Sequence, residues 1–479
     1  MRNPLRGLLP AALLIPALGL GPVVSAAAQT RTSVGAATVI DADIRDRLAA
    51  IPSVTVTEEK PVPGYRYFLL TYTQPIDHFK PWLGTFQQRF SVLHRGEDRP
   101  TVFYTNGYTL GAEPSRTEPS RLLDGNQVSI EYRYFTPSRP VPTDWSKAGI
   151  RQGAADAHAI ITALKRIYGQ KWISTGASKG GMSSVYHRRF YPDDVDGTVA
   201  YVAPNEVDDR DDDAYTEFFR QVGSPECRAA LRVAQRELLV RRGTLEPRYA
   251  ADNAAKGNTF TVMGSADRAF EASVLDVVWG FWQYGTEADC ATVPAVNATD
   301  DQLYAWFDTH SGVAANSDGA LARFTAYYYQ AGTELGSPNF DVSYLKGVLH
   351  YDPRELYAPR SYVARSIPMR FNPWAMPDID HWVRHFARRV IFVYGENDPW
   401  GAERFELGRG SWDSYVYTVA GGNHGSKIAG LKADESAAAT AKLLAWAGVP
   451  SGASLARGHQ VPAFGPLDAE CLRLEHNRL

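Results

Sequence analysis

A chain of 479 residues exceeds what one simple core organises, so one large domain carrying a sizeable insertion, or two domains, is expected. Its composition, 44% hydrophobic and 22% charged, is that of a soluble globular protein, and the 12% aromatic content hints at apolar clefts. A net charge of -3 argues against nucleic acid as a partner.

At the start, Arg2 and Arg6 precede the apolar run LLPAALLIPALGLGPVV and the small-residue segment SAAAQT. This is the pattern of a secretory signal peptide, residues 1–29, cleaved between Ala26 and Gln29. The run is short for a membrane span and is broken by prolines and glycines, and nothing later approaches a spanning length, so a secreted protein with no membrane partner is expected. Removal of residues 1–29 takes away two arginines and no acid, moving the net charge to about -5. Residues 30–60 read as a polar leader or pro-segment.

From residue 61 the segments YRYFLLTYTQPIDHF and FQQRFSVLH alternate apolar and polar positions, which predicts antiparallel strands. PTVFYTNG and QVSIEYRYF are continuously apolar at their centres, as in strands buried on both faces. Between residues 146 and 168, Ile150, Ala154, Ala157, Ile160, Ile161, Leu164 and Ile167 repeat at helical spacing before Gly169. The strand WISTG, a helix over 178–190 and the strand GTVAYVAP follow. The pattern over 61–204 is therefore βαβ, the first part of a parallel α/β sheet.

From 205 to 370 the rhythm changes to long helical, aromatic-rich segments without buried-strand runs, which predicts an inserted helical cap. The sheet resumes over 371–450 with RRVIFVYGEND and SYVYTVAGGNHG and closes with an amphipathic helix in ESAAATAKLLAWAG. Residues 451–479 form a tail. Cys227 and Cys290 lie within the insertion and are expected to pair in an exported chain, leaving Cys471 odd. Neither CxxC nor HExxH spacing occurs, and no metal or cofactor is expected.

Gly176, Ala177, Ser178, Lys179 and Gly180 fit G-x-S-x-G at a strand-to-helix junction, the setting in which a strained turn exposes a nucleophilic hydroxyl. The rival P-loop reading fails because Lys179 follows the serine and no GxxxxGK[ST] frame surrounds it. A serine needs a base and a group to orient that base. Asp398 in GENDPW and His424 in AGGNHGSK supply both, in the order Ser, Asp, His, each just past a predicted strand. For a developing oxyanion, the backbone N–H of Lys179 is one donor, and the loop TNGYT offers Gly107 or Tyr108 as the other.

The segments DHF (77–79), FQQRF (86–90), PTVFYTNGY (100–108), EYRYFTPSRP (131–140), GASKGGM (176–182), NDPW and GGNHG occur together in this order. In this the chain resembles the secreted bacterial serine peptidases of the S37 type, the prolyl tri/tetrapeptidyl and tripeptidyl aminopeptidases. More distantly it is similar to the prolyl carboxypeptidase and dipeptidyl peptidase II group. The resemblance covers roughly residues 65–447 and is weakest in the cap; SKGG stands where the eukaryotic relatives carry SYGG.

The resemblance implies an α/β-hydrolase fold and a monomer that releases short peptides, chiefly tripeptides ending in proline, from the free N-termini of peptide or protein substrates. It also implies a carboxylate for the substrate's ammonium group. Glu334, in a TELG segment matching the family's TE-G motif, is the first choice and Glu206, just past the last strand before the cap, the second. A structural carboxylate bonding loop amides is the competing reading of Glu334. The acidic run 208–213 reads as a solvated face. For a flat apolar proline pocket, VVWGFWQY offers Phe281, Trp282 and Tyr284. Two alternatives stay open at this level: an esterase or lipase on the same fold, and a non-catalytic binding protein on a hydrolase scaffold.

Overall fold

The structure is a computed structural model and describes residues 42–450. The signal peptide, Cys471 and the C-terminal tail lie outside the described residues. The unit that begins at Asp43 is built on one 9-stranded sheet in the order β1-β2-β3-β5-β4-β6-β7-β8-β9. Its strands are β1 (Val54–Val62), β2 (Tyr65–Pro75), β3 (Thr85–His94), β4 (Thr101–Thr105), β5 (Asn126–Ile130), β6 (Trp172–Ala177), β7 (Gly197–Tyr201), β8 (Val390–Gly395) and β9 (Tyr415–Val419). The pairings from β1 to β5 through β2 and β3 are antiparallel, and every pairing from β5 to β9 is parallel. The parallel strands β4, β5, β6, β7 and β8 are buried almost throughout, as expected where helices cover both faces.

Within the segment that reads as a leader, residues 43–60 are folded onto the sheet. A short helix α1 (Ile44–Ala49) places Ile44 and Leu48 in the same core as Phe68 and Phe90, and β1 forms the outer edge of the sheet. The reason it reads as a leader is visible in its sequence: VTVTEEKPV has few apolar positions because an edge strand buries little, and the ladder is irregular between Val56 and Glu58.

On one face of the sheet lie α3 (Ile150–Leu164), α4 (Lys179–Phe190) and α12 (Ala375–Phe386), and on the other α2 (Glu118–Leu123) and α13 (Ala433–Trp446). The apolar stripe of α3 packs Ala157, Ile160, Ile161 and Leu164 against Phe103 and Val128 of the sheet. Leu443 and Trp446 of α13 cover Val199, Ile391 and Val393 from the opposite side. This is the α/β-hydrolase fold.

Between β7 and β8 the chain forms no strand. It runs through α5 (Asp213–Gln221), α6 (Pro225–Val240), α7 (Arg242–Ala255), α8 (Ala266–Tyr284), α9 (Asp300–Ser311), α10 (Asp318–Gln330) and α11 (Pro353–Tyr357). These helices share a core of their own in which Leu231, Leu238, Phe270, Val274, Phe281 and Phe307 are fully buried. A disulfide between Cys227 and Cys290, with Cα atoms 5.4 Å apart, fastens α6 to the turn after α8. The carboxyl end of α8 reaches the loop after β9, where the His424 N–H donates to the Gln283 carbonyl at 3.0 Å.

Candidate active site

Ser178 sits between β6 and α4 with φ 53° and ψ -128°, a region that side-chain-bearing residues avoid. The chain around it over-determines this conformation. Its N–H donates to the Tyr201 carbonyl and its own carbonyl accepts from Met182, both at 2.9 Å. A Cβ on Gly176 would lie 2.2 Å from the Gly180 carbonyl, and one on Gly180 would lie 2.2 Å from the Thr105 carbonyl. Only glycine allows strand, helix and the end of β4 to approach this closely.

The other serines of WISTGASKGGMSS are occupied. Ser174 bonds Thr198 at 2.8 Å, Ser183 donates to the Lys179 carbonyl at 2.8 Å, and Ser184 donates to the Gly181 carbonyl at 2.7 Å. Ser178 is the one that is partly accessible and makes no such bond.

Asp398 and His424 form a buried pair at the carboxyl ends of β8 and β9. The Asp398 Oδ2 lies 2.8 Å from His424 Nδ1, while Oδ1 accepts the Trp400 N–H at 3.1 Å, so the carboxylate is held from two sides. A bond at Nδ1 places that nitrogen's proton on the Asp398 side and leaves Nε2 as the basic atom. His424 Nε2 is buried and has no hydrogen-bond partner within the protein. Its loop is held by neighbours that sequence reasoning missed. The Asn423 side chain donates to the carbonyls of Tyr284 at 2.8 Å and Gly285 at 3.1 Å, and accepts the Gly425 N–H at 2.9 Å. The NH dipeptide in GGNHG was the available signal.

The loop after β4 lies against the first turn of α4. Gly107 has φ 81°, and a Cβ there would meet the Gly180 nitrogen at 2.5 Å and the Lys179 carbonyl carbon at 2.8 Å. Gly107 and Lys179 are thus neighbours of Ser178. The Tyr108 carbonyl accepts from Tyr132 N–H at 2.9 Å, and its ring is buried 5.7 Å from Phe135 and 6.0 Å from Tyr327. The Lys179 side chain turns inward: Nζ stands 3.3 Å from the Tyr132 ring centroid with no hydrogen-bond partner. Burial pushes this amine well below the ordinary lysine range, with Glu334 pulling the other way.

The proposed binding carboxylates are differently employed. Glu334 Oε2 accepts the Ile150 N–H at 2.8 Å, capping α3, whose own N-cap residue is Gly149 and has no side chain to do so. Burial raises its carboxyl, opposed by that amide, by Gln330 and by Lys179. Glu334 thus caps α3 through one oxygen and is itself only partly buried.

Glu206 is sealed at 5% exposure, and neither of its oxygens makes a hydrogen bond of normal geometry, although Tyr215 is adjacent. Burial first, then the neighbouring Glu403 and Asp212, push it up to about 9. Glu206 is thus buried without a partner of its own in the protein. In the acidic run beyond it, Asp209 and Asp212 accept the N–H groups of Ser337 and Asn339 at 2.8 and 2.7 Å.

The raised carboxyl has a consequence for stability. An unfolded glutamate ionises near 4.5, so folding becomes less favourable as pH rises from there through about 9. At pH 7 the cost is about 3 kcal/mol. Asp212, raised to about 6, and Glu403, raised to about 7, act with the same sign. Glu206→Gln is expected to unfold at a higher temperature than the parent at pH 8 and at nearly the same temperature at pH 4.5. Parallel Tm-against-pH curves for the two proteins would contradict this.

Of the aromatic residues proposed for a proline pocket, Phe281 and Trp282 are fully buried in the cap core. Their rings pack among cap side chains and present no exposed face to a substrate. Tyr284 stands beside the site, its ring 6.4 Å from that of His424 and nearly perpendicular to it. Trp400, which follows Asp398 closely in sequence, lies 6.3 Å from His424 and 4.8 Å from Trp279. These tryptophans were missed, though the W of NDPW was in view.

The sequence also contains an HxxxH spacing, His381 and His385 on α12. The two rings stack at 4.3 Å on the exposed surface. Among the described residues the metal-type grouping is Cys227, Glu287 and Cys290, whose cysteines are consumed by the disulfide.

Comparison with known proteins adds a family to this geometry. The chain is 52% identical, over its full length and 99% of the relative, to the prolyl tri/tetrapeptidyl aminopeptidase of Streptomyces mobaraensis. Solved structures resemble it more loosely. The proline iminopeptidase of Mycobacterium smegmatis is 15% identical with a TM-score of 0.37, over 79% of this chain and 98% of that one. Epoxide hydrolase A of Mycobacterium thermoresistibile is 13% identical with a TM-score of 0.31, over 82% of this chain and 98% of that one. The profile of the PS-10 peptidase S37 family matches residues 37–475, and the chain belongs to that family.

Proposed function

We propose that this protein is a secreted serine exopeptidase that releases short peptides, chiefly tripeptides ending in proline, from free N-termini. The observation that carries the reading is the strained, unengaged Ser178 at a strand-to-helix turn, with an Asp398-tethered His424 at the same edge of the sheet. The name of the 52% identical relative supplies the substrate class.

In this reading Ser178 Oγ attacks the scissile carbonyl as His424 Nε2 takes its proton. Asp398 keeps Nδ1 protonated and stabilises the imidazolium that forms. The backbone N–H groups of Lys179 and of Gly107 or Tyr108 receive the developing oxyanion, the latter carried on the loop pressed against α4. His424 then returns the proton to the departing amine, leaving an acyl-enzyme on Ser178. Water activated by the same imidazole hydrolyses the ester. The flat faces of Tyr284 and Trp400 beside His424 suit a proline ring at the cleavage position. Export rests on the N-terminal signal pattern and accords with a disulfide-bonded cap.

A panel of chromogenic di-, tri- and tetrapeptide anilides ending in proline or alanine, each with a free or acetylated N-terminus, tests the assignment. Fast release from the free tripeptide ending in proline is expected, with acetylated and alanine-ending substrates far slower. Turnover of short p-nitrophenyl esters with none of the anilides would establish an esterase instead.

A further inference from the structure

Asp276, on α8, makes no hydrogen bond and no ion pair. It is partly accessible, unlike Glu206. Burial pushes its carboxyl up to about 7, and no neighbouring cation opposes the shift. The groups that feel its charge are the phenols of Tyr328 on α10, Tyr357 on α11 and Tyr362 in the turn that follows. Tyr328 and Tyr362 stack at 4.7 Å, and the Tyr357 hydroxyl is spent on the Leu275 carbonyl at 3.1 Å. A carboxylate without a partner, set among tyrosine phenols and partly accessible, suits a cation.

The position along α8 fixes which cation. Asp276 and Gln283 are seven residues apart and so lie on one stripe of the helix, about 10 Å from each other along its axis. Gln283 is where the helix meets the catalytic loop, through its carbonyl and the His424 N–H. Three extended residues also span about 10 Å. A second route joins the same two ends: Tyr327, next to Tyr328 on α10, lies 6.0 Å from Tyr108 of the candidate oxyanion loop.

From this placement we infer that Asp276 binds the N-terminal ammonium of the substrate and, by its distance from His424, sets the length released at about three residues. The inference rests on the exopeptidase reading above and names the carboxylate that this reading requires. Glu334 already holds the amide of Ile150 and Glu206 is 5% exposed, whereas Asp276 is partly accessible and bonded to nothing.

The test compares the parent protein, Asp276→Asn and Asp276→Glu on a tripeptide prolyl anilide with free and with acetylated N-terminus. Labelling by a fluorophosphonate serves as the check that each variant is folded. The parent is expected to prefer the free substrate. Asp276→Asn is expected to lower that preference about 100-fold, mainly through KM, because a charge-assisted bond to the ammonium is lost. Asp276→Glu, with a carboxylate reaching one methylene further, is expected to keep the preference and to shift the optimum toward shorter peptides. A parent that discriminates, with an Asp276→Asn variant that labels normally and discriminates equally well, would overturn the assignment while leaving the exopeptidase reading intact. A parent that cleaves both forms equally would remove that reading and the role of Asp276 together. If Asp276→Asn fails the labelling check, Asp276→Glu decides: an unchanged length preference counts against the ruler.

Discussion

Ser178→Ala is expected to lower kcat on a free tripeptide prolyl anilide by on the order of 10⁶-fold, with KM within a fewfold of the parent value and no change in fold. The size follows from the chemistry: without the hydroxyl there is no acyl-enzyme, and what remains is positioning and oxyanion stabilisation of a direct attack by water. The backbone at this position adds a second, independent expectation. With φ 53° and ψ -128°, Ser178 holds a conformation suited to glycine, imposed by bonds to Tyr201 and from Met182. Ser178→Gly should therefore be as inactive as the alanine variant yet more stable, by about 1 kcal/mol or more. Denaturant titration of the three proteins measures this directly. An alanine variant that keeps a tenth of the parent rate would assign the chemistry to another residue, and a glycine variant less stable than alanine would show that the turn is not strained.

Much of this site is legible in the sequence because its parts are local. G-x-S-x-G is contiguous, and its glycines are explained by atoms within five residues and by one crossing strand. Asp398 and His424 each follow a short run of β-branched and aromatic residues, so their place at strand ends could be read from pattern alone. The buried middle strands announce themselves for the same reason.

What the sequence hides is non-local. Nothing in TELG announces the amide of Ile150, 184 residues away in the chain, on one oxygen of Glu334. Phe281, Trp282 and Tyr284 are neighbours in sequence, but a helix turns by about 100° per residue, so the first two enter the cap core while the third faces His424. Asp276 was invisible for the opposite reason. One acid in SVLDVVWGFWQY reads as a blemish on an apolar helix, and its meaning depends on tyrosines supplied by three later segments. The edge strand β1 was lost because an edge buries too little to leave a pattern.

Asp398→Asn is expected to reduce kcat by roughly 10⁴-fold while leaving KM and the fold unchanged. The reason is the tautomer of His424. In the parent, Asp398 Oδ2 at 2.8 Å from Nδ1 requires a proton on that nitrogen, which leaves Nε2 free to accept one from Ser178. An asparagine amide is nearly isosteric and can keep the contact to the Trp400 N–H, yet it can present its own N–H to Nδ1 and drive the proton onto Nε2. The imidazole then has no lone pair for the nucleophile. Its position would survive, because His424 is also fixed through its backbone to Gln283 and through Asn423 to Tyr284 and Gly285. Fluorophosphonate labelling should slow in step with kcat, since both need a deprotonated Ser178. Asp398→Ala, which offers no amide to reverse the tautomer, should be no slower than Asp398→Asn despite removing more atoms. If Asp398→Asn kept kcat within tenfold of the parent, the carboxylate would be a prop for the loop and no part of the proton relay.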